Sequence, residues 1–162
     1  MDGRGPRLPN KLRFVLGADH AGFALKEKMR DYLVRAGHEV DDQGPATPDP
    51  VDYPDFAEKV ATRVAARQAD FGVVVCGTGL GVAIAANKVP GIRAATVNDT
   101  LSAYFARAHN NANVLALGGR LADEATAQKI LETWIATPFE GGRHQRRVEK
   151  IANIDQKHHS EK

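Results

Sequence analysis

Phe71-Gly72-Val73-Val74-Val75-Cys76-Gly77-Thr78-Gly79-Leu80-Gly81-Val82-Ala83-Ile84-Ala85-Ala86 contains the change of periodicity that decides the architecture. A β-branched apolar run ends in alternating glycines and gives way to small aliphatic residues, which predicts a strand over 71–75, a tight turn, and a helix over 82–86. A turn of this kind offers bare backbone N–H groups, and with the positive end of the helix dipole they favour an anion. Cys76, the single cysteine of the chain, stands at the entrance of the turn. A helix N-terminus favours the thiolate, the form of cysteine that acts as base or nucleophile.

The same alternation continues on both sides of this unit. Residues 12–17 form a short apolar run, and Leu25, Met29 and Leu33 mark a helix over 21–36 that Gly37 stops. A second strand is expected over 38–41, a Pro- and Asp-rich loop over 44–52, and a helix through Ala57, Val60, Ala61 and Val64. Beyond the glycine turn come a strand over 92–97, a helix over 101–108 capped by Asn98-Asp99-Thr100, and a fifth strand over 114–117. Helices over 122–136 and from 143 to about 157 close the chain. Strands alternating with helices imply right-handed crossovers and a parallel sheet covered on both faces. The expected fold is therefore α/β: a doubly wound, Rossmann-like three-layer sandwich with a five-stranded parallel sheet and a C-terminal helix.

Length and composition agree with one domain. The chain has 162 residues, 43% hydrophobic and 26% charged, with a net charge of +2. We expect a flexible tail over 1–12, a single domain over 13–155 and a C-terminal tail over 156–162. The mild basic excess comes largely from the two ends, where Arg4, Arg7, Lys11 and Arg13 open the chain. It argues against a nucleic-acid-binding face. One cysteine excludes an internal disulfide framework and fits a reducing compartment. No apolar segment approaches the roughly 20 residues that span a bilayer, and the polar start lacks a signal-peptide core, so a cytoplasmic location without membrane contact is expected.

In parallel sheets of this kind ligands sit beyond the carboxyl ends of the strands. The residues following the strands are rich in functional groups: Asp19-His20, Cys76 to Gly81, Asn98-Asp99 and Gly118-Gly119-Arg120, with His109-Asn110 closing the helix between the last two strands. Familiar phosphate motifs fail at the glycine turn. Counted from Gly77, the third glycine of a dinucleotide fingerprint falls on Val82, and a P-loop lysine is missing before Lys88. A cysteine phosphatase loop would need an arginine where Val82 stands. What survives is a turn for an anion that is bound or transient.

Each candidate also has a plain structural alternative. A free cysteine at a strand end is usually a small buried hydrophobe, and Thr78 can serve as a turn residue whose hydroxyl satisfies local backbone. His20 and His109 stand apart from His38, His158 and His159 because they are expected at ligand-facing ends. The scattered histidines and lone cysteine lack metal-ligand spacing, so no metal is expected. Arg143 and Arg147 lie four apart on one helical face, either a solvated basic face or a fork for phosphate.

Taken together, Asp19-His20, the run Cys76-Gly-Thr-Gly-Leu-Gly-Val-Ala-Ile-Ala-Ala-Asn-Lys88, Gly91-Ile-Arg-Ala94, His109-Asn110, Asn113, Gly119-Arg120 and Gly142-Arg-His-Gln-Arg-Arg147 closely resemble the ribose-5-phosphate isomerase B family, which includes galactose-6-phosphate and allose-6-phosphate isomerases. The resemblance runs from about Arg13 to Ile154. It implies a cofactor-free aldose–ketose isomerase of the pentose phosphate pathway, with a phosphorylated sugar as substrate. By the same resemblance, Cys76 is the base moving a proton between C1 and C2. Gly77, Gly79, Leu80 and Gly81, with Thr78, hold the enediolate oxygen, and His109 opens the furanose ring. Asp19 binds hydroxyls, Asn110 contacts the sugar, and Arg143 and Arg147, helped by His20 and Arg120, bind phosphate. Val82 replaces the carboxylate base of some members, which places this chain in the cysteine branch. The resemblance also implies a homodimer with shared active sites, a tetramer being the alternative. The chemistry independently needs a base over an α-carbon, donors at the oxyanion and a distant phosphate anchor. Alternatives are a 6-phosphohexose isomerase or isomerase subunit, in which loop 44–53 sets pocket depth, and a non-catalytic sugar-phosphate-binding regulator.

Overall fold

The computed structural model describes residues 10–159, so the parts of the expected tails over 1–9, with Arg4 and Arg7, and over 160–162 lie outside the described residues. Strands and helices alternate as β1 (Arg13–Ala18), α1 (Phe23–Arg35), β2 (Glu39–Asp42), α2 (Tyr53–Ala65), β3 (Phe71–Cys76), α3 (Leu80–Ala86), β4 (Ala94–Thr96), α4 (Thr100–Ala108), β5 (Val114–Gly118), α5 (Glu124–Ala136) and α6 (Arg143–His159). The strands form one parallel sheet in the order β2-β1-β3-β5-β4. Residues 156–159, expected in the tail, complete α6, and Leu12 is 1% exposed.

Alternation along the strands sorts side chains into two cores. Phe71, Val73 and Val75 of β3 join Leu25, Met29 and Leu33 of α1 and Trp134 of α5 on one face. Val74 and Cys76 point to the other face, with Val60 of α2 and Val82 of α3. The helices between are started by local chemistry. Asp99 accepts Ser102 N at 2.7 Å and Asp123 accepts Thr126 N at 2.8 Å, while Pro54 stands in the first turn of α2. Gly37, at φ +92°, ends α1. The edge strand β4 is only three residues long, shorter than expected, because side chains take over its flanks: Ala94 exchanges hydrogen bonds with the Asn87 amide, and Arg93 N donates to Asn113 Oδ1. Among the described residues no helix is long and apolar enough to cross a membrane.

The entry to β1 is held by a neutral histidine. Leu12 N donates to His38 Nδ1 at 3.1 Å, and burial lowers the His38 pKa from its ordinary 6.5. The unfolded chain therefore takes up more protons than the fold once pH drops through about 6.5, and stability declines below that value. Thermal melts from pH 7.5 down to 5 are expected to show this decline, and His38→Gln, which keeps an acceptor without titrating, should flatten it. An identical pH dependence in the variant would remove His38 from the account.

Candidate active site

The sheet order reverses between β1 and β3, and a ligand crevice belongs outside the carboxyl ends of strands flanking such a switch. β1 delivers Asp19 there and β3 delivers Cys76. Asp19 N donates to Val75 O at 3.1 Å, joining the two strand ends, and Asp19 Oδ1 accepts Gly22 N at 2.9 Å. The thiol is 4% exposed, and Gly79 N donates to Sγ at 3.2 Å. Negative charge on the sulfur would strengthen that bond.

The turn is shaped by what surrounds it. Gly79 takes φ +77°, which an L side chain rarely adopts, and α3 begins immediately after it at Leu80. The helix thus starts two residues earlier than its apolar spacing predicts. Gly119 N donates to Cys76 O at 2.8 Å and Arg120 N to Gly77 O at 2.9 Å. A trans peptide carries its C=O and N–H on opposite sides, so the N–H groups of Gly77 and Thr78 point away from that loop. Thr96 Oγ1 donates to Gly79 O at 2.7 Å, and Thr78 Oγ1 accepts Leu80 N at 3.3 Å, so Thr78 serves local backbone as well as facing the turn. The Arg120 guanidinium lies over Gly77, and the Tyr53 ring crosses Gly81, where an added Cβ would approach Tyr53 Cζ to 2.6 Å. His20 Nδ1 accepts Val51 N at 3.3 Å, tying it to loop 44–52. The far end of that loop is fixed by the fully buried Lys26, whose Nζ donates to Asp42 Oδ1 at 2.9 Å and Pro45 O at 2.9 Å.

His109, Asn110, Arg143 and Arg147 lie elsewhere. α4 runs back from the carboxyl end of β4 to the amino end of β5, so His109 at its C-terminus sits on the opposite edge of the sheet from Cys76. This corrects the expectation that His109 lies with Asp19 and Cys76 beyond the carboxyl ends of the strands. Asn113, four residues on, accepts Gly72 N at the start of β3. α5 returns to the same edge, where Glu140 N donates to Ala108 O, and α6 continues along it until Asp155 accepts Gly91 N. Strands of five or six residues, at about 3.3 Å per residue, separate the two groups by roughly 15–20 Å within one chain.

The amino-edge group is basic. The His109 and His144 rings stack at 4.0 Å, and both approach Glu140 Oε2, at 3.8 and 3.6 Å. Arg143 Nε donates to His144 Nε2 at 3.4 Å, and Arg147 donates to Arg143 O at 3.4 Å. Burial, then the neighbouring His109 and Arg143, lowers the His144 pKa from 6.5. The ligand atoms of His109, Glu140 and His144 lie within 4.8 Å of one another, close enough to hold a metal ion. The adjoining arginines make the patch better suited to an anion.

The sequence alone assigns no role to His144, Glu140 or Thr96. The i, i+4 spacing of Glu140 and His144 was a readable signal. Tyr53 enters the sequence reading as the end of the loop that sets pocket depth, and its partner, Gly81, leaves no side chain to predict the contact.

The Ribose/Galactose Isomerase family matches residues 14–151. Ribose-5-phosphate isomerase B of Escherichia coli (strain K12) is 44% identical over 145 residues, covering 90% of this chain and 97% of that protein. Among solved structures, Clostridium thermocellum ribose-5-phosphate isomerase B superposes with a TM-score of 0.89 at 48% identity, covering 90% of this chain and 99% of that one. Ribose-5-phosphate isomerase B from Mycoplasma genitalium, with bound ribulose 5-phosphate, superposes with a TM-score of 0.86 at 42% identity, covering 89% and 96%.

Proposed function

The chain belongs to the ribose/galactose isomerase family, and from that premise we propose that it interconverts ribose 5-phosphate and ribulose 5-phosphate at sites shared between two copies. The observation that carries this reading is the placement of Cys76: a sulfur at the switch point of the sheet, receiving Gly79 N, beside a turn whose Gly77 and Thr78 N–H groups point away from the loop that follows β5. Cys76 takes the C2 proton of the open-chain aldose, negative charge develops on O1 and is held by the turn N–H groups and Thr78, the O2 hydroxyl proton passes to O1, and the carbon-bound proton is returned to C1 as C2 becomes the carbonyl. Asp19, buried at the end of β1, receives sugar hydroxyls.

His109 opens the ring by protonating the ring oxygen as the C1 hydroxyl loses its proton, and Asn110 contacts the sugar. Arg143 and Arg147 bind the phosphate, with His20 and Arg120 approaching from the carboxyl edge. Because His109 and the arginines are out of reach of Cys76 in one chain, a second copy supplies them. Exposed apolar side chains support this: Leu80 and Ile84 on α3, Leu101 and Phe105 on α4, and Ile154 on α6 flank the β4 edge. The protein as proposed is a cytoplasmic homodimer, a location supported by its single free cysteine.

Purified chain, assayed without added metal on ribose, allose and galactose phosphates, is expected to show its highest kcat/KM with ribose 5-phosphate; equal or better turnover of a 6-phosphohexose would reassign the substrate. Arg143→Ala and Arg147→Ala are each expected to raise KM for ribose 5-phosphate by about 10–100-fold, the worth of a hydrogen bond to a charged group. An unaltered KM would return the pair to a solvated basic face.

A further inference from the structure

Arg107 on α4 is 4% exposed, and among the described residues no carboxylate pairs with it. Its guanidinium lies 4.6 Å from the Phe71 ring centroid and 5.7 Å from that of Trp134, and its Nε has no hydrogen-bond partner. Burial, with the nearby charge of Arg93, lowers its pKa to about 10. A buried charge set among apolar rings costs stability, and an apolar side chain of similar volume usually fills such a place at least as well.

What Arg107 does hold is the segment after His109. Its Nη1 donates to Asn111 Oδ1 at 3.1 Å and to Ala112 O at 2.7 Å. From the other side Arg93 Nε donates to Asn111 O at 2.9 Å, and Arg93 is itself tied to the segment through Asn113 Oδ1. Asn111 stands at φ +48°, a conformation few side-chain-bearing residues adopt. Two cations, placed near enough for one to depress the other, thus converge on one strained residue two positions beyond His109 and next to Asn110.

We infer that Arg107 and Arg93 are positioning residues that clamp Asn111 and so aim the His109–Asn110 arm into the site completed by the partner copy. The inference rests on the proposed role of His109 in ring opening, and the test separates the two. Ribulose 5-phosphate, with its C5 oxygen phosphorylated, cannot close a furanose. Cys76 can take its C1 proton, exchange it for a solvent deuteron and return that deuteron to C1 without any ring chemistry. Asn111→Gly keeps the backbone conformation and removes the acceptor of Arg107, while Arg107→Met keeps the volume and removes the donor.

Both variants, in full-length protein checked by thermal melting, are expected to lose isomerisation of ribose 5-phosphate by roughly 10²-fold, the cost of about 1 Å of misplacement, while C1 exchange of ribulose 5-phosphate in D2O changes by less than about threefold. Asn111→Gly serves alone where Arg107→Met does not fold. Isomerisation unchanged in Asn111→Gly overturns the clamp, and so does an equal loss of isomerisation and exchange. Wild-type protein inactive on ribose 5-phosphate would instead overturn the proposed reaction.

Discussion

Cys76→Ala is expected to lower kcat for ribose 5-phosphate by about 10²–10⁴-fold, the usual worth of a positioned general base, with KM nearly unchanged. The asymmetry follows from where the sulfur sits. Cys76 is 4% exposed at the end of β3, while the proposed phosphate and hydroxyl contacts lie on other elements, so removing Sγ subtracts little ground-state binding. Cys76→Ser should fall nearly as far, because a hydroxyl in that place holds its proton too tightly to act as base. The sulfur also accepts Gly79 N, yet the turn has further ties through Thr96, Gly119 and Arg120. It should therefore keep its shape without Sγ. Initial rates over a range of substrate concentrations check this, and turnover within a few-fold of wild type in both variants would remove Cys76 from the chemistry.

Mixed dimers provide the second large effect. His109→Asn alone and Cys76→Ala alone are each expected to be nearly inactive on ribose 5-phosphate. Unfolded together and refolded as a mixture, the two chains should regain about a quarter of wild-type activity: half of randomly paired dimers are mixed, and each mixed dimer has one intact site of two. The reasoning is geometric. A sheet about five residues deep separates the two groups within a chain, so one intact Cys76 and one intact His109 can meet only across an interface. If each site belonged to one chain, mixing would restore nothing, because every chain in the mixture carries a lesion. Absence of recovery in dimers verified to be mixed would exclude the shared site.

The strand, turn and helix around Cys76 were legible because each local signal agreed: β-branched residues for a buried parallel strand, and glycines where the backbone bends and meets its neighbours. Helix capping by Asp99 was legible for the same reason. Boundaries were not. α3 starts at Leu80 because Gly79 already has the left-handed conformation that turns the chain, and β4 shrinks because Asn87 and Asn113 satisfy its flanks with side chains, neither of which leaves a mark in hydrophobic spacing. The roles of the site residues, and their division between two copies, come from the resemblance to a family and not from hydrophobic spacing. Sequence order says that His109 ends a helix. The return path of that helix, antiparallel to the strands, puts it on the wrong edge to serve its own Cys76, which is the geometric reason for the shared site that the resemblance implies.

The alternation of β3 has a consequence for which changes the gene can tolerate. Val75 and Cys76 face opposite cores, one under α1 and the other under α2 and α3. A single-codon deletion between Phe71 and Val75 would shift the strand by one residue, and the thiol would trade faces with its neighbour. Valine and cysteine are both small and apolar enough to be buried, so composition would hardly register the exchange. The base would point into the wrong core. Substitutions in this strand are judged by volume, but insertions and deletions are judged by parity, and only even shifts leave the sulfur on its own side of the sheet.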